Sequence, residues 1–509
     1  MSTDGLIKSA GARAVALEPR GGAPKADVEV ALNEPEGELE VSAPGSPRDG
    51  KPSRWGVLRH RHYRNVWFGQ FGSSLGSWME SVGVGWIINT TSKDPALMLG
   101  YLALAQLGPM MVLGIPGGIL ADRMNRKMLL LVTQFLMMLI AAGLAVVSYV
   151  SHSKPHLGVM IGLVLLNGAV IPINNPAWQV LTPRLVPREE LTSAIFLNGL
   201  QFNLARAVGP AIAGLLYALF GPTILFVINT ISFIGVMIAV ASTPDTPTPK
   251  HTGVSVLHQF NEARRFVLHE RGPRSVLIAI VAFGLLGAPF MRLMPMFVTQ
   301  VFTQTKLPAD ALRSAAAQAG EHSGYYGLML GIMGLGAVTG VALVRLVPKW
   351  YPKHHLIPVS ILGGGIFITL FAATTNYYIA CVALFFAGIF WLWSFNSAFA
   401  AIQILVPDEM RGRVMAIVNV AVFGSMAVGP FLTGKLGSDL NLATTHIDAG
   451  QGIQLGVAAT GVALTIAALI MLTWRTPEVD GLRPGDIGYD RSPSLMRGIT
   501  GGVHRPRRA

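Results

Sequence analysis

Apolar runs of about 20 residues recur from one end of this chain to the other, each long enough to cross a ~30 Å hydrocarbon core as a helix. They read as twelve spans, at about 66–90, 96–121, 128–150, 157–181, 192–219, 221–243, 275–304, 323–346, 354–374, 377–400, 412–437 and 452–474. Only 13% of residues are charged, against about 25% in a soluble chain. The weak ten-residue alternation of a membrane barrel is absent. The expected fold class is an all-α membrane protein with twelve transmembrane helices. Short links such as Thr91 to Pro95 and Gly221-Pro222 force antiparallel neighbours.

The chain also repeats itself. Leu185-Val186-Pro187 returns as Leu405-Val406-Pro407, and Gly209-Pro210 returns as Gly429-Pro430, both 220 residues later (187 to 407, 210 to 430). Gly214 and Gly434 keep the same register. This ungapped offset divides the spans into two pseudo-symmetric six-helix halves, residues 58–243 and 275–474, joined by a basic linker over 244–274. Within the linker, Val254 to His269 reads as an amphipathic interfacial helix. Two such halves enclose a substrate path in many secondary transporters. Residues 1–53 read as a disordered arm and 475–509 as a basic tail.

The net charge of +12 is distributed by loop. Arg123, Arg126 and Lys127, then Arg184 and Arg188, Arg264 to Arg274, and Arg411 and Arg413 gather in alternate connections. That asymmetry places both termini in the cytoplasm and speaks for a lipid bilayer, not nucleic acid, as the partner of the basic residues. No cleavable signal is visible. The single cysteine, Cys381, excludes an intrachain disulfide. No catalytic constellation, metal-ligand spacing or nucleotide loop occurs in a plausible context, so no enzyme, metal or cofactor is expected.

After the second span stands Gly117-Gly118-Ile119-Leu120-Ala121-Asp122-Arg123-Met124-Asn125-Arg126-Lys127. It resembles the loop of the major facilitator superfamily between helices two and three. Asn125 stands where that family usually has glycine, and asparagine is the next-best residue for a left-handed turn. Arg206-Ala207-Val208-Gly209-Pro210-Ala211-Ile212-Ala213-Gly214 resembles the superfamily's antiporter motif. Gly69-Gln70, Gly76 to Met79, Asn175-Pro176 and Asn203 to Arg206 are similar to the exporter branch that includes the enterobactin exporter and macrolide efflux proteins. The resemblance implies alternating access, with Gly118, Asp122, Arg123, Arg126, Gly209, Pro210, Gly214, Gly429 and Pro430 in conformational or gating roles. It also implies that Asp122 sits near the start of the eleventh helix, Gly412 to Val414.

Charges inside spans are the sharpest clue, because each costs ~2.5–3.5 kcal/mol on insertion scales. Glu80, Arg206 and Arg292 reach similar depth. Gln70, Ser73, Ser77 and Glu80 share one helical face, as do Gly199, Asn203 and Arg206. Glu80 and Arg206 are expected to face each other, or a shared aqueous cavity, and not lipid, as either a static pair or a coupling site. Asn167, Asn174, Trp393 and Asn396 complete the candidate pathway, and Met291, Met294 and Met296 lie beside Arg292 as packing or adaptable lining. The expected function is proton-coupled export of a small amphipathic molecule by a monomer in a bacterial inner membrane. Uptake of a small polar metabolite, or a non-transporting receptor or scaffold, are the alternatives.

Overall fold

A computed structural model describes residues 55–151, 156–244, 256–302, 315–347, 353–443 and 449–474. The expected arm at 1–53 and tail at 475–509 lie outside the described residues. The helices are α1 (Arg61–Thr91), α2 (Pro95–Leu107), α3 (Pro109–Arg123), α4 (Arg126–Val150), α5 (Leu157–Leu181), α6 (Leu191–Phe220), α7 (Thr223–Ala241), α8 (Val256–His269), α9 (Arg271–Gly287), α10 (Pro289–Met296), α11 (Ala315–Leu343), α12 (Lys353–Ala373), α13 (Tyr377–Leu405), α14 (Arg411–Ala443) and α15 (Ala449–Met471). α2 and α3 form one crossing, interrupted at Gly108-Pro109. α9, α10 and a π-helical turn at Phe297–Val301 form another.

Among the described residues, 11 helical stretches are long and apolar enough to cross a membrane. α1 is not one of them, although its 31 residues would span about 46 Å. Gln70, Ser73, Ser74, Ser77 and Glu80 dilute its apolar character. With α1 the crossings are the expected twelve, and the protein is an all-α, multi-pass membrane protein.

Side chains and prolines set several helix starts. Asp94 accepts from Leu97 N at 3.1 Å with Pro95 at the first helical position of α2, and Asn376 accepts from Tyr378 N at 2.9 Å to cap α13. Asn125 corrects the sequence reading. Its φ of −61° is not left-handed, and its side chain caps α4 by accepting from Lys127 N at 3.0 Å and Met128 N at 3.2 Å. Asparagine stands there for its oxygen, not for its tolerance of a left-handed turn.

The sequence repeat becomes a repeat of contacts. α6 packs along α11 and α14 packs along α2, which are the broadest contacts between residues 58–243 and 275–474. A β-carbon on Gly214 would lie 2.7 Å from Ser323 O of α11, and one on Gly434 would overlap Ala96 O of α2. One helical turn earlier, Gly209 backs onto Trp78 of α1 and Gly429 onto Leu285 of α9. Small residues let the backbones close to this range, where packing holds helices together in a solvent as apolar as they are. Outward-facing leucines and isoleucines such as Leu139, Leu219, Ile231 and Ile466 remain exposed, as lipid contact requires.

The expected amphipathic helix of the linker is present as α8, over Val256–His269. Ala263 and Val267 are buried while Arg264 and Arg265 are exposed, and Glu262 pairs with Arg413 at the start of α14, 3.2 Å away. Part of the linker, 245–255, lies outside the described residues.

Candidate functional site

Glu80 is 6% exposed and sits where three helices meet. Asn167 of α5 donates Nδ2 to one carboxyl oxygen at 3.1 Å, and Asn229 of α7 donates Nδ2 to the other at 2.6 Å. No cation pairs with it among the described residues. The expected contact between Glu80 and Arg206 therefore does not form. Glu80 lies between Gly76 and Gly83, whose missing side chains admit Asn229, Leu225 and Phe226 of α7. α6 meets α1 elsewhere, through Gln201 to Ser74 Oγ at 3.1 Å and Gly209 against Trp78. Glu80 and the helix that carries Arg206 lie on different sides of α1.

Arg206 is partly exposed, and its Nη2 is buried without a hydrogen-bond partner. On α6, Gln201, Ala205 and Gly209 turn toward α1, while Ala207, Pro210 and Gly214 turn toward α11. One remaining edge carries exposed Leu204, Leu215 and Leu219, and the other carries Gly199 and Arg206 together with exposed Ile195 and Phe202. Hydrocarbon offers a guanidinium no partner, so contact with lipid would leave Arg206 unsatisfied.

Arg292 lies in α10 and donates from Nη1 to the side-chain oxygen of Gln106 on α2. It lines a small cavity with Trp78, Ser81, Met291, Tyr326 and Leu330, at the junction of α1, α2, α10 and α11. Beyond this cavity, toward the end of α1, the two sets of helices are tied together. Asn89 Nδ2 donates to Pro295 O at 3.2 Å and to Thr299 Oγ1 at 3.1 Å, Ser438 donates to Asp94, and the Trp86 and Tyr326 rings stack at 5.7 Å. Toward the start of α1, Ser77 is exposed and Gln70 partly so; Asn396 of α13 is also exposed.

Several expected pathway residues bond to a neighbouring helix or to their own. Asn174 is buried and donates to Thr133 Oγ1 of α4 at 2.9 Å. Trp393 donates Nε1 to Gly340 O of α11 at 2.8 Å, which fixes the ring against a neighbouring helix. Asn203 donates to Gly199 O of its own helix at 2.8 Å. Met294 and Met296 are buried in the core, while Met291 reaches the cavity. Gly118 has open space where a β-carbon would stand. Its neighbour Gly117 makes the close approach, to Pro172 O of α5. Arg126 is partly exposed, and the side chains of Asp122 and Arg123, with the expected Asp122 contact to α14, lie outside the described residues.

Sequence reasoning missed Asn229, Gln106 and Tyr326. Asn229 is the only amide in α7 and Gln106 the only one in α2–α3, so each carried the same signal as the asparagines that were singled out. No group of three or more His, Cys, Asp or Glu among the described residues could hold a metal ion. What the arrangement offers is a set of polar and charged side chains at contacts between helices, able to bind and orient a ligand.

Comparison with known proteins gives the same architecture. The chain is 24% identical over 351 residues to the staphyloferrin A transporter of Staphylococcus aureus, covering 68% of this chain and 82% of that one. It is 25% identical to the enterobactin exporter EntS of Escherichia coli, over 74% and 84% of the two chains, and 22% identical to macrolide efflux protein A of Streptococcus pyogenes, over 73% and 88%. The fold is similar to the crystal structure of the nucleoside transporter NupG (TM-score 0.59, 16% identity, 82% of this chain and 100% of that one). It is also similar to a bacterial homologue of the lysosomal transporter Spinster (TM-score 0.60, 13% identity, 81% and 96%). Residues 52–484 match the family model described as transmembrane secretion effector. The chain belongs to that family of the major facilitator superfamily, whose fold transports without catalysing, and it is a bacterial, multi-pass, secondary-active transporter of a small molecule.

Proposed function

We propose that the protein is a proton-coupled exporter of a small amphipathic compound, siderophore- or drug-like, that works as a monomer in the inner membrane with both termini cytoplasmic. The observation that carries this reading is the Glu80 carboxyl. It is buried at a three-helix junction and held by two neutral amides, with no cation among the described residues to keep it permanently ionised. A carboxyl in that setting can take up and release a proton as its access to water changes, without first breaking an ion pair.

Residues 58–243 and 275–474 act as two bodies that rock about α6–α11 and α2–α14, the contacts made by Gly214 and Gly434. The tie at Asn89 closes the outer side, and the side where Ser77 is exposed opens to the cytoplasm. Gly118, Asp122, Arg123 and Arg126 form the cytoplasmic gate against the start of α14. A proton entering from outside reaches Glu80 as substrate leaves, and each charge moved down the potential supplies ~2.3 kcal/mol per 100 mV. The outward direction is supported by the motif from Arg206 to Gly214 and by relatives named for export and efflux.

The test is transport of labelled amphipathic compounds in inverted membrane vesicles. Accumulation driven by an acid lumen and abolished by a protonophore is expected. Accumulation indifferent to the pH gradient would sink the coupling, and movement only out of such vesicles would reverse the direction.

A further inference from the structure

We infer that the transported compound carries an anionic group of the carboxylate class, bound between Arg206 and Arg292; this rests on reading the central cavity as the transport route. Setting aside Glu321 near the start of α11, whose side chain lies outside the described residues, the spans away from helix ends contain Glu80, Arg206 and Arg292 as their Asp, Glu, Lys and Arg residues. Lys435 and Asp439 belong to the outer end of α14, where Gly434 packs against the first turn of α2. That makes two cations to one carboxyl, and both oxygens of that carboxyl are occupied by Asn167 and Asn229.

Neither arginine finds a carboxylate among the described residues. Arg292 has a neutral amide oxygen, from Gln106, and Arg206 has a buried Nη2 with no partner at all. Trp78 connects them: it lines the cavity with Arg292 and backs onto Gly209, one turn along α6 from Arg206. A planar guanidinium presents donors in a fork that matches a carboxylate, and such charge-assisted bonds are about twice as strong as neutral ones. Leu99, Leu102, Met291 and Leu330 in the same cavity offer an apolar wall for the rest of the molecule. A cationic compound would instead bring a third positive charge into a desolvated space. The site complements an amphipathic anion.

Full-length protein in lipid nanodiscs, titrated at fixed pH and with no gradient, tests this with three probes of one shape: 1-naphthoate, 1-naphthamide and 1-naphthylmethylammonium. Calorimetry should rank the carboxylate at least roughly tenfold tighter than the amide, with the ammonium weakest. Arg206→Gln and Arg292→Gln should each weaken the carboxylate by roughly tenfold or more and leave the amide unchanged. An equal or reversed ranking, no detectable binding of 1-naphthoate, or full affinity in both variants overturns the inference. If a variant fails to fold, the ranking in the unaltered protein still decides. Because no gradient is used, failure here leaves pH-driven export standing, and loss of coupling in vesicles leaves this ranking untouched.

Discussion

Glu80→Gln separates a proton carrier from a structural charge, and the geometry sets the size of its effect. Both carboxyl oxygens accept from amides, at 3.1 and 2.6 Å. Bonds to a charged group contribute ~1.5–3 kcal/mol and neutral ones ~0.5–1.5, so two bonds lose about 2 kcal/mol between them. Glutamine also turns one acceptor into a donor. Asn167 can answer by rotating its amide, since its Oδ1 is buried without a partner. Removing a buried charge returns part of its desolvation cost, so the net loss should fall at or below about 2 kcal/mol. Breaking a buried ion pair would instead cost ~3–5 kcal/mol. Thermal unfolding in detergent should therefore show a modest shift, with expression retained, while inverted vesicles lose pH-driven transport. Full pH-coupled transport by a well-folded variant rules out the carrier role. A loss above about 3 kcal/mol would mean that Glu80 has a cationic partner, contrary to the amide cradle.

Asn229→Leu leaves one carboxyl oxygen buried without its donor and should cost ~1–3 kcal/mol in the same unfolding measurement, with coupled transport impaired; an unchanged midpoint would refute the assignment of the 2.6 Å bond. Gly214→Ala and Gly434→Ala push a methyl into Ser323 O and Ala96 O, so each should destabilise by ~1–3 kcal/mol and slow transport, whereas Gly118→Ala, with open space at its β-carbon, should change packing stability little. If all three glycine variants behave alike in unfolding assays, close helix approach is not what these positions provide. In a Cys381→Ala background, Ser77→Cys should react with an impermeant maleimide from the cytoplasmic face of inverted vesicles, while Ser360→Cys, 0% exposed, should not. Protection of Ser77→Cys from that face would refute a cavity open to the cytoplasm.

The sequence by itself determined the crossings, because hydrocarbon thickness and internal backbone hydrogen bonding leave a long apolar run one option. It also determined which positions are equivalent. The 220-residue offset reappears as matched contacts of Gly209 and Gly429, and of Gly214 and Gly434, since a repeated helix must find a repeated neighbour. Glu80, Arg206 and Arg292 also stood out in the sequence as charges within apolar spans. Only the tertiary structure decided which of them meet. Helical periodicity fixes where a residue lies around its own axis, not which helix stands opposite. From Gln70 to Glu80, ten residues fall about 80° short of three full turns, so the polar stripe swings as it climbs. That swing carries Glu80 onto the ridge of Gly76 and Gly83, against Asn229 of α7, and away from α6 and Arg206. Asn174 and Trp393 likewise read as polar groups in spans, and became a bond to Thr133 and a bond to Gly340 once their neighbours were known. The order of helices around the bundle comes from packing between distant segments, and that information is spread over all twelve spans.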